Sequence, residues 1–159
     1  MVKKKGHVIH SRVGPLHVEQ DRLILFPRGL VGFETLRDFA LVRVREDSTF
    51  FLLQSCADPN LGLMVADPYV YLPDYRIKIS TAEQELLGLK NIHEAVVLVT
   101  VTIPPGKPED AVLNLVGPLV INIRLRRGMQ VPQNQLRHPA RLHLGGAEQA
   151  GEGLPGGRS

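Results

Sequence analysis

The chain has 159 residues, of which 43% are hydrophobic, a size and composition typical of one folded domain and not of a disordered chain. Aromatic residues make up only 5% and Trp is absent, which disfavours functions that depend on base stacking or aromatic cages. The net charge of +3 originates at the two ends, because residues 21–120 carry nine Lys and Arg against thirteen Asp and Glu. An acidic middle favours basic protein partners and repels nucleic-acid phosphates.

The first half of the chain predicts six short strands. Runs of β-branched, aromatic and aliphatic residues alternate with Gly, Pro and Asp, as is typical of strands that end in tight turns. Gly14-Pro15 is predicted to form the first turn, and residues 27–38 an ordered loop. The predicted strands cover residues 8–9, 16–18, 23–26, 39–45, 49–55 and 61–66.

The second half predicts one helix and several more strands. Ser80 and Glu83 have the spacing of a capping box, and Gly88 is placed to end a helix that runs to Leu87. Strands are expected over residues 77–79 and 95–103, and residues 128–131 should form a final edge strand. Residues 112–126 predict two strands or one bent strand, because Gly117-Pro118 interrupts them.

Many short strands with one short helix indicate a mostly β fold, either a small antiparallel β-barrel-like domain or a sandwich. We expect this domain to cover residues 1–144. Residues 145–159 contain six glycines and little to bury, which predicts a flexible Gly-rich tail.

No residue pattern indicates catalysis or metal binding. Cys56 is the single cysteine and has no histidine neighbour of a recognised nucleophile type, so a small buried thiol is its expected state. The six histidines lack metal-ligand spacing, and Gly29–Gly32 is too short for a phosphate loop. We therefore predict no enzyme activity, no cofactor and no metal. The absence of an apolar leader or a long apolar run predicts a cytoplasmic protein that does not enter the membrane.

A basic cluster at Arg124, Arg126 and Arg127 leaves three functions open. The arginines could protect a strand edge from aggregation, contact a protein, or bind nucleic acid. On a strand, Arg124 and Arg126 would point to the same face.

Two predicted loops carry apolar side chains that would either plug a barrel end or form an interface. The first contains Leu30, Val31 and Phe33. The second contains Tyr69, Val70, Tyr71 and Leu72.

The order of several short motifs resembles the FliW family over about residues 8–131. The first is Phe26-Pro27-Arg28-Gly29-Leu30-Val31-Gly32-Phe33-Glu34. Then come Leu53-Gln54-Ser55, Asp67-Pro68, Pro73-Asp74-Tyr75, Leu86-Leu87-Gly88-Leu89, Asn114 to Asn122, and Arg127-Gly128-Met129-Gln130-Val131. The basic ends and Pro132-Gln133 after the last motif depart from the family pattern.

The resemblance implies a non-enzymatic flagellar assembly factor with chaperone and regulatory roles. Members of this family bind flagellin and the translational repressor CsrA, and they relieve repression of flagellin translation when they sequester CsrA. We expect the same two partners here, a monomer when free, and no direct contact with nucleic acid. Loop position and residue type make Phe33, Gln54, Tyr71 and Tyr75 the predicted partner-binding residues. Strand addition and a helix lying in a groove are both open as binding modes.

Overall fold

The computed structural model describes residues 6–134 and 137–145. Within them the chain forms one helix and eleven strands, joined by turns and four short 3-10 segments. The strands are β1 (Gly6–Ser11), β2 (Gly14–Glu19), β3 (Leu23–Leu25), β4 (Asp38–Arg43), β5 (Phe50–Ser55), β6 (Gly62–Ala66), β7 (Ala95–Thr102), β8 (Val112–Asn114), β9 (Leu119–Asn122), β10 (Arg127–Gln130) and β11 (Arg141–His143), and the helix is α1 (Thr81–Leu87).

Seven strands close into a barrel in the order β7-β6-β5-β4-β3-β10-β9, with β9 paired back to β7. Neighbours in this ring are antiparallel except β3 and β10, which are parallel and share one register pair, Leu25 with Arg127. Strands β8 and β11 extend the sheet beyond β7, and β1 and β2 form a separate hairpin. The mostly β, barrel-like fold with one short helix is therefore confirmed.

The barrel interior is filled by one apolar cluster around Phe26 and Phe39. Both rings are fully buried, and they meet edge to face with centroids 5.5 Å apart. Aliphatic side chains from the surrounding strands complete this core, among them Leu53, Leu98 and Ile121. Gly128 lies against Phe26, where a Cβ would stand 2.7 Å from a ring carbon.

Two further clusters cover the outside of the barrel around β7, β9 and β10. Tyr75 packs with Val97, Val99 and residues of β8 in one, and Leu87 of α1 packs with Val120 and Met129 in the other. Because β7 is covered on both faces over much of its length, its sequence is a nearly continuous apolar run. The hairpin packs Ile9 and Val18 on Ala40 of β4.

Helix α1 begins and ends where the sequence predicts. The Glu83 amide donates to the Ser80 hydroxyl, the Ser80 amide donates to the Glu83 carboxylate, and both bonds complete the capping box. Gly88 has φ +70 and ends the helix in the left-handed conformation that glycine adopts without a Cβ clash. The apolar Leu87 is fully buried beneath the last turn.

Four predictions of local structure are wrong. Residues 77–79 form no strand, and the first turn lies at Arg12-Val13, two residues before the predicted Gly14-Pro15. Strand β10 is neither final nor at an edge, because it closes the barrel and β11 follows it. Residues 112–126 give two strands followed by a turn, so Arg124 and Arg126 do not share a strand face. The predicted tail, apart from Gly145, lies outside the described residues.

Substitution of Gly128 by Ala should destabilise the barrel. The added methyl group would meet the enclosed ring of Phe26 at 2.7 Å, and overpacking of this kind costs about 1–3 kcal/mol of unfolding free energy. Urea unfolding followed by circular dichroism measures the change. Gly6→Ala is the matched control, because no atom lies within 4 Å of its Cβ position. Equal stability of the two variants would contradict the packing described here.

Candidate protein-binding surfaces

Two of the four predicted binding residues are buried by the fold. The Gln54 side chain is 2% exposed, and its amide donates to the carbonyl oxygens of Ser55 and Asp58 at 3.1 and 3.2 Å. Tyr75 is also 2% exposed, and its hydroxyl donates to the Leu115 carbonyl at 2.7 Å. Both side chains therefore hold neighbouring backbone in place, and their effect on partner binding stays a prediction.

The other two predicted residues lie at opposite ends of the barrel. Phe33 precedes β4 and therefore lies at the same end of the barrel as the turn after β5. Tyr71 follows β6 and therefore lies at the other end, beside the turn after β4. The Tyr71 hydroxyl is hydrogen bonded to Thr49 in that second turn. The four predicted residues consequently do not form one continuous site.

The loop of residues 27–36 presents an apolar tip on a rigid base. Leu30 is buried, whereas Val31 and Phe33 are 63% and 41% exposed. A backbone bridge joins Leu30 to Phe33, and the Val31 amide donates to the Gln130 side chain at 2.9 Å. This loop, named the Phe33 loop, thus exposes two apolar side chains on a hydrogen-bonded backbone.

Glycine and one carboxylate set the shape of the Phe33 loop. Gly29 has φ +65, and a Cβ there would lie 2.6 Å from the Glu34 backbone, so the turn requires glycine. The Glu34 carboxylate accepts a hydrogen bond from the Gly32 amide at 3.0 Å. Backbone hydrogen bonding of this kind lowers the pKa of Glu34.

A second apolar surface runs along the outside of the barrel near the start of β7. It is a groove of about 470 Å³ with Tyr69, Pro73, Tyr75 and Ile77 on one wall and Ile92 and Val97 on the other. Arg76, His93 and Ala95 also line it. Tyr69 and Ile92 are each more than a third exposed, and the rings of Tyr69 and Tyr75 lie 5.8 Å apart. We name this surface the aromatic groove.

Two capped turns fix the walls of the aromatic groove. The Asp67 carboxylate accepts from the Tyr69 amide at 2.9 Å and starts the 3-10 segment Pro68–Val70. On the other wall, Asn91 accepts from the His93 amide at 2.9 Å. The Glu94 carboxylate accepts from the Lys90 and Asn91 amides, and these bonds lower the pKa of Glu94. Ile92 and His93 are not among the residues predicted from the sequence, although the Asn91-to-Glu94 spacing is itself a capping-box signal.

The first half of β7 has a free backbone edge beside the groove. Ala95–Leu98 pair with β9 on one side. On the opposite side, β6 pairs only with Val99 and Thr100, because the chain leaves the sheet at Pro68. No strand within residues 6–134 and 137–145 pairs with that side of Ala95–Leu98. Alternate amides and carbonyls of this half strand therefore point away from β9, toward an edge to which no described strand is bonded.

The arginine cluster does not form the stripe expected of a nucleic-acid site. The Arg126 guanidinium donates to the Gln20 carbonyl at 2.7 Å, and that of Arg127 donates to the Leu86 carbonyl at 3.0 Å. Two of the three arginines therefore stabilise the fold. Protection of a strand edge does not apply either, since β10 is paired on both sides.

Metal binding and thiol chemistry find no support in the described part of the chain. No cluster of three His, Cys, Asp or Glu side chains is placed to hold a metal ion there. Burial, with a smaller contribution from Asp38, raises the pKa of the Cys56 thiol, which disfavours the reactive thiolate. Among the same residues, no helix is long and apolar enough to cross a membrane.

Comparison with known proteins identifies the family of this chain. The model of the family described as FliW protein matches residues 7–144, from β1 to beyond β11. The chain belongs to the FliW family. Both the Phe33 loop and the aromatic groove lie inside the region matched to FliW.

Named FliW relatives and a solved structure resemble nearly the whole chain. A flagellar assembly factor FliW of Nitratidesulfovibrio vulgaris strain DP4 is 49% identical over 144 residues, covering 91% of this chain and 83% of the relative. One from Desulfovibrio desulfuricans is 47% identical over 135 residues, covering 84% and 81%. A crystal structure of the flagellar assembly factor FliW superposes with a TM-score of 0.77 at 26% identity, covering 87% of this chain and 96% of that one.

Substitution of Tyr75 by Phe should reduce stability and change its dependence on pH. Loss of the hydrogen bond to Leu115 leaves a buried carbonyl unpaired, which costs about 1–3 kcal/mol at pH 7. Burial, with a smaller contribution from Tyr69, raises the pKa of Tyr75. Its neutral form is therefore favoured in the folded state, and this contribution is lost as pH rises above about 10, where unfolded Tyr ionises. Above that pH the unfolding free energy of Tyr75→Phe should fall less steeply than that of the wild type; equal slopes would contradict this account.

Proposed function

We propose that this protein is a cytoplasmic flagellar assembly factor that binds flagellin and CsrA in a mutually exclusive manner. When it holds CsrA, the repressor is withdrawn from flagellin mRNA and flagellin translation proceeds. When flagellin accumulates, it occupies the protein and releases CsrA. Membership of the FliW family over residues 7–144 is the observation that carries this proposal.

The geometry supports a function based on binding. The closed barrel is a rigid scaffold, and it presents two preformed apolar surfaces, the Phe33 loop and the aromatic groove. Preformed surfaces lose little conformational entropy when a partner binds. The excess of Asp and Glu over residues 21–120 favours approach of a basic protein, as an RNA-binding repressor would be.

Exchange between two partners requires no covalent chemistry. Two proteins that draw on one limited pool change each other's free concentration by mass action. Mutual exclusion follows from a shared surface, or from coupling between two surfaces, and in both cases the effect of each partner on the other is reciprocal. We further propose that the free protein is monomeric and has no direct contact with nucleic acid.

Isothermal titration of the full chain with purified CsrA, and separately with unassembled flagellin, tests the proposal. We expect saturable binding of each partner and displacement of either one by the other. Binding of neither partner at moderate salt, or a stable complex of all three proteins, would contradict it.

Alanine substitution tests the two exposed predicted residues in the same titrations. Phe33→Ala and Tyr71→Ala should each lower the affinity for one partner by about tenfold, because aromatic side chains dominate protein interfaces. Val13→Ala is a suitable control, since Val13 is 82% exposed at the tip of the β1–β2 hairpin. Unchanged affinity for both partners would remove these residues from the interface.

A further inference from the structure

The free edge of β7 and the aromatic groove lie side by side. Ala95 and Val97 belong to the unpaired half of β7 and also line the groove. An extended peptide placed there could bond to the β7 backbone while its alternate side chains enter the groove. Within this half strand the Val96 side chain is 38% exposed, whereas Val97 and Leu98 are buried.

A basic pocket of about 450 Å³ continues the groove at its Arg76–Ile77 end. It is lined by Arg76, Ile77, Lys78, Gln133, Arg137 and His138. Arg76 and Ile77 line both cavities, and the ring of His138 lies 5.8 Å from that of Tyr75 in the groove wall. One partner segment can therefore occupy both.

In the basic pocket the backbone of Lys78 is hydrogen bonded to a side chain and not to a neighbouring strand. The Lys78 amide donates to the Gln133 side-chain oxygen at 2.8 Å, and the Gln133 amide donates to the Lys78 carbonyl at 3.0 Å. This pair fixes the extended backbone at Lys78 and leaves its ammonium group exposed. The cations of the pocket are thus carried on an ordered backbone.

The pocket is suited to a carboxylate. Three of its lining residues are Lys or Arg, and no Asp or Glu of residues 6–134 and 137–145 lines it. Glu83 lines a neighbouring cavity together with Lys78 and Gln133, and its negative charge would repel a phosphate backbone running past the pocket. A single acidic side chain, in contrast, is short enough to reach the cations alone.

We propose that the aromatic groove binds an extended segment of a partner protein, which adds a strand to β7 at Ala95–Leu98 and places a carboxylate in the basic pocket. This inference rests on the proposed function, since the partner is expected to be flagellin or CsrA. The segment must carry apolar side chains at alternate positions and an acidic residue beyond them. Strand addition gives affinity through backbone bonds, while the groove and the pocket select the sequence.

Charge reversal tests the pocket. The double variant Arg76→Glu with Lys78→Glu should lower the affinity for at least one of flagellin and CsrA by tenfold or more, as measured by titration calorimetry. The matched control is Arg22→Glu with Lys107→Glu, which changes the net charge equally at exposed residues outside the groove and the pocket. Equal weakening by both double variants, or unchanged affinity for both partners, would overturn the inference while the proposed function stands. Failure of the wild type to bind either partner would defeat both.

Substitution of a groove residue separates the apolar contact from the charges. Ile92→Ala should lower the affinity for the same partner by fivefold or more. Ile123→Ala, at a similarly exposed isoleucine outside the groove, should leave that affinity unchanged. A partner that is sensitive to Arg76 and Lys78 but not to Ile92 would contradict a single segment spanning both cavities.

Hydrogen exchange resolved by NMR distinguishes strand addition from a helix lying in the groove. Strand addition predicts that the amides of Ala95–Leu98 directed away from β9 exchange at least tenfold more slowly in the complex. A bound helix would bury side chains without bonding to these amides. Unchanged exchange at Ala95–Leu98 in the saturated complex would therefore overturn strand addition.

Discussion

The barrel closes through one short contact between β3 and β10. The Leu25 amide donates to the Arg126 carbonyl at 3.0 Å, and Leu25 and Arg127 form the single parallel register pair. Arg126 has φ +56, the one positive φ of a non-glycine residue within the described ranges, and its guanidinium bonds to the Gln20 carbonyl. Left-handed backbone at arginine is unfavourable, so it persists only because the surrounding bonds hold it. Without this contact, β3 and β10 would each present an open edge, and the Phe26 core would lose its enclosure.

Closure also determines which backbone edges of the strands stay unpaired. A complete ring satisfies the backbone of its strands, so most of the barrel offers no edge. One gap in the pairing is the first half of β7, because β6 pairs only with Val99 and Thr100 and not with Ala95–Leu98. The outer layer around Tyr75 packs on Val97, Val99 and Val101, and the aromatic groove lies between this layer and the start of β7. The candidate interface thus lies beside a gap in the pairing of the ring.

Local sequence signals predicted those elements whose cause is local. The capping box at Ser80, the glycine stop at Gly88 and most strand positions need only neighbouring residues to be recognised. The position of β10 in the ring depends on pairing with β3, about a hundred residues earlier, and no local pattern reports that distance. Lys78 looks like part of a strand because it is extended, but its partner is the side chain of Gln133. The burial of Gln54 and Tyr75 could not be predicted from the sequence either. Residue type does not tell whether an amide or a hydroxyl finds a hydrogen-bond partner inside the protein.

We propose that one protein exchanges CsrA for flagellin and so couples flagellin supply to translation. A cell-free translation assay with a reporter behind a flagellin leader tests it most directly. CsrA should lower reporter synthesis, addition of this protein should restore it, and addition of unassembled flagellin should lower it again. If flagellin leaves the restored synthesis unchanged, or if the protein fails to relieve repression by CsrA, the account of partner exchange is wrong.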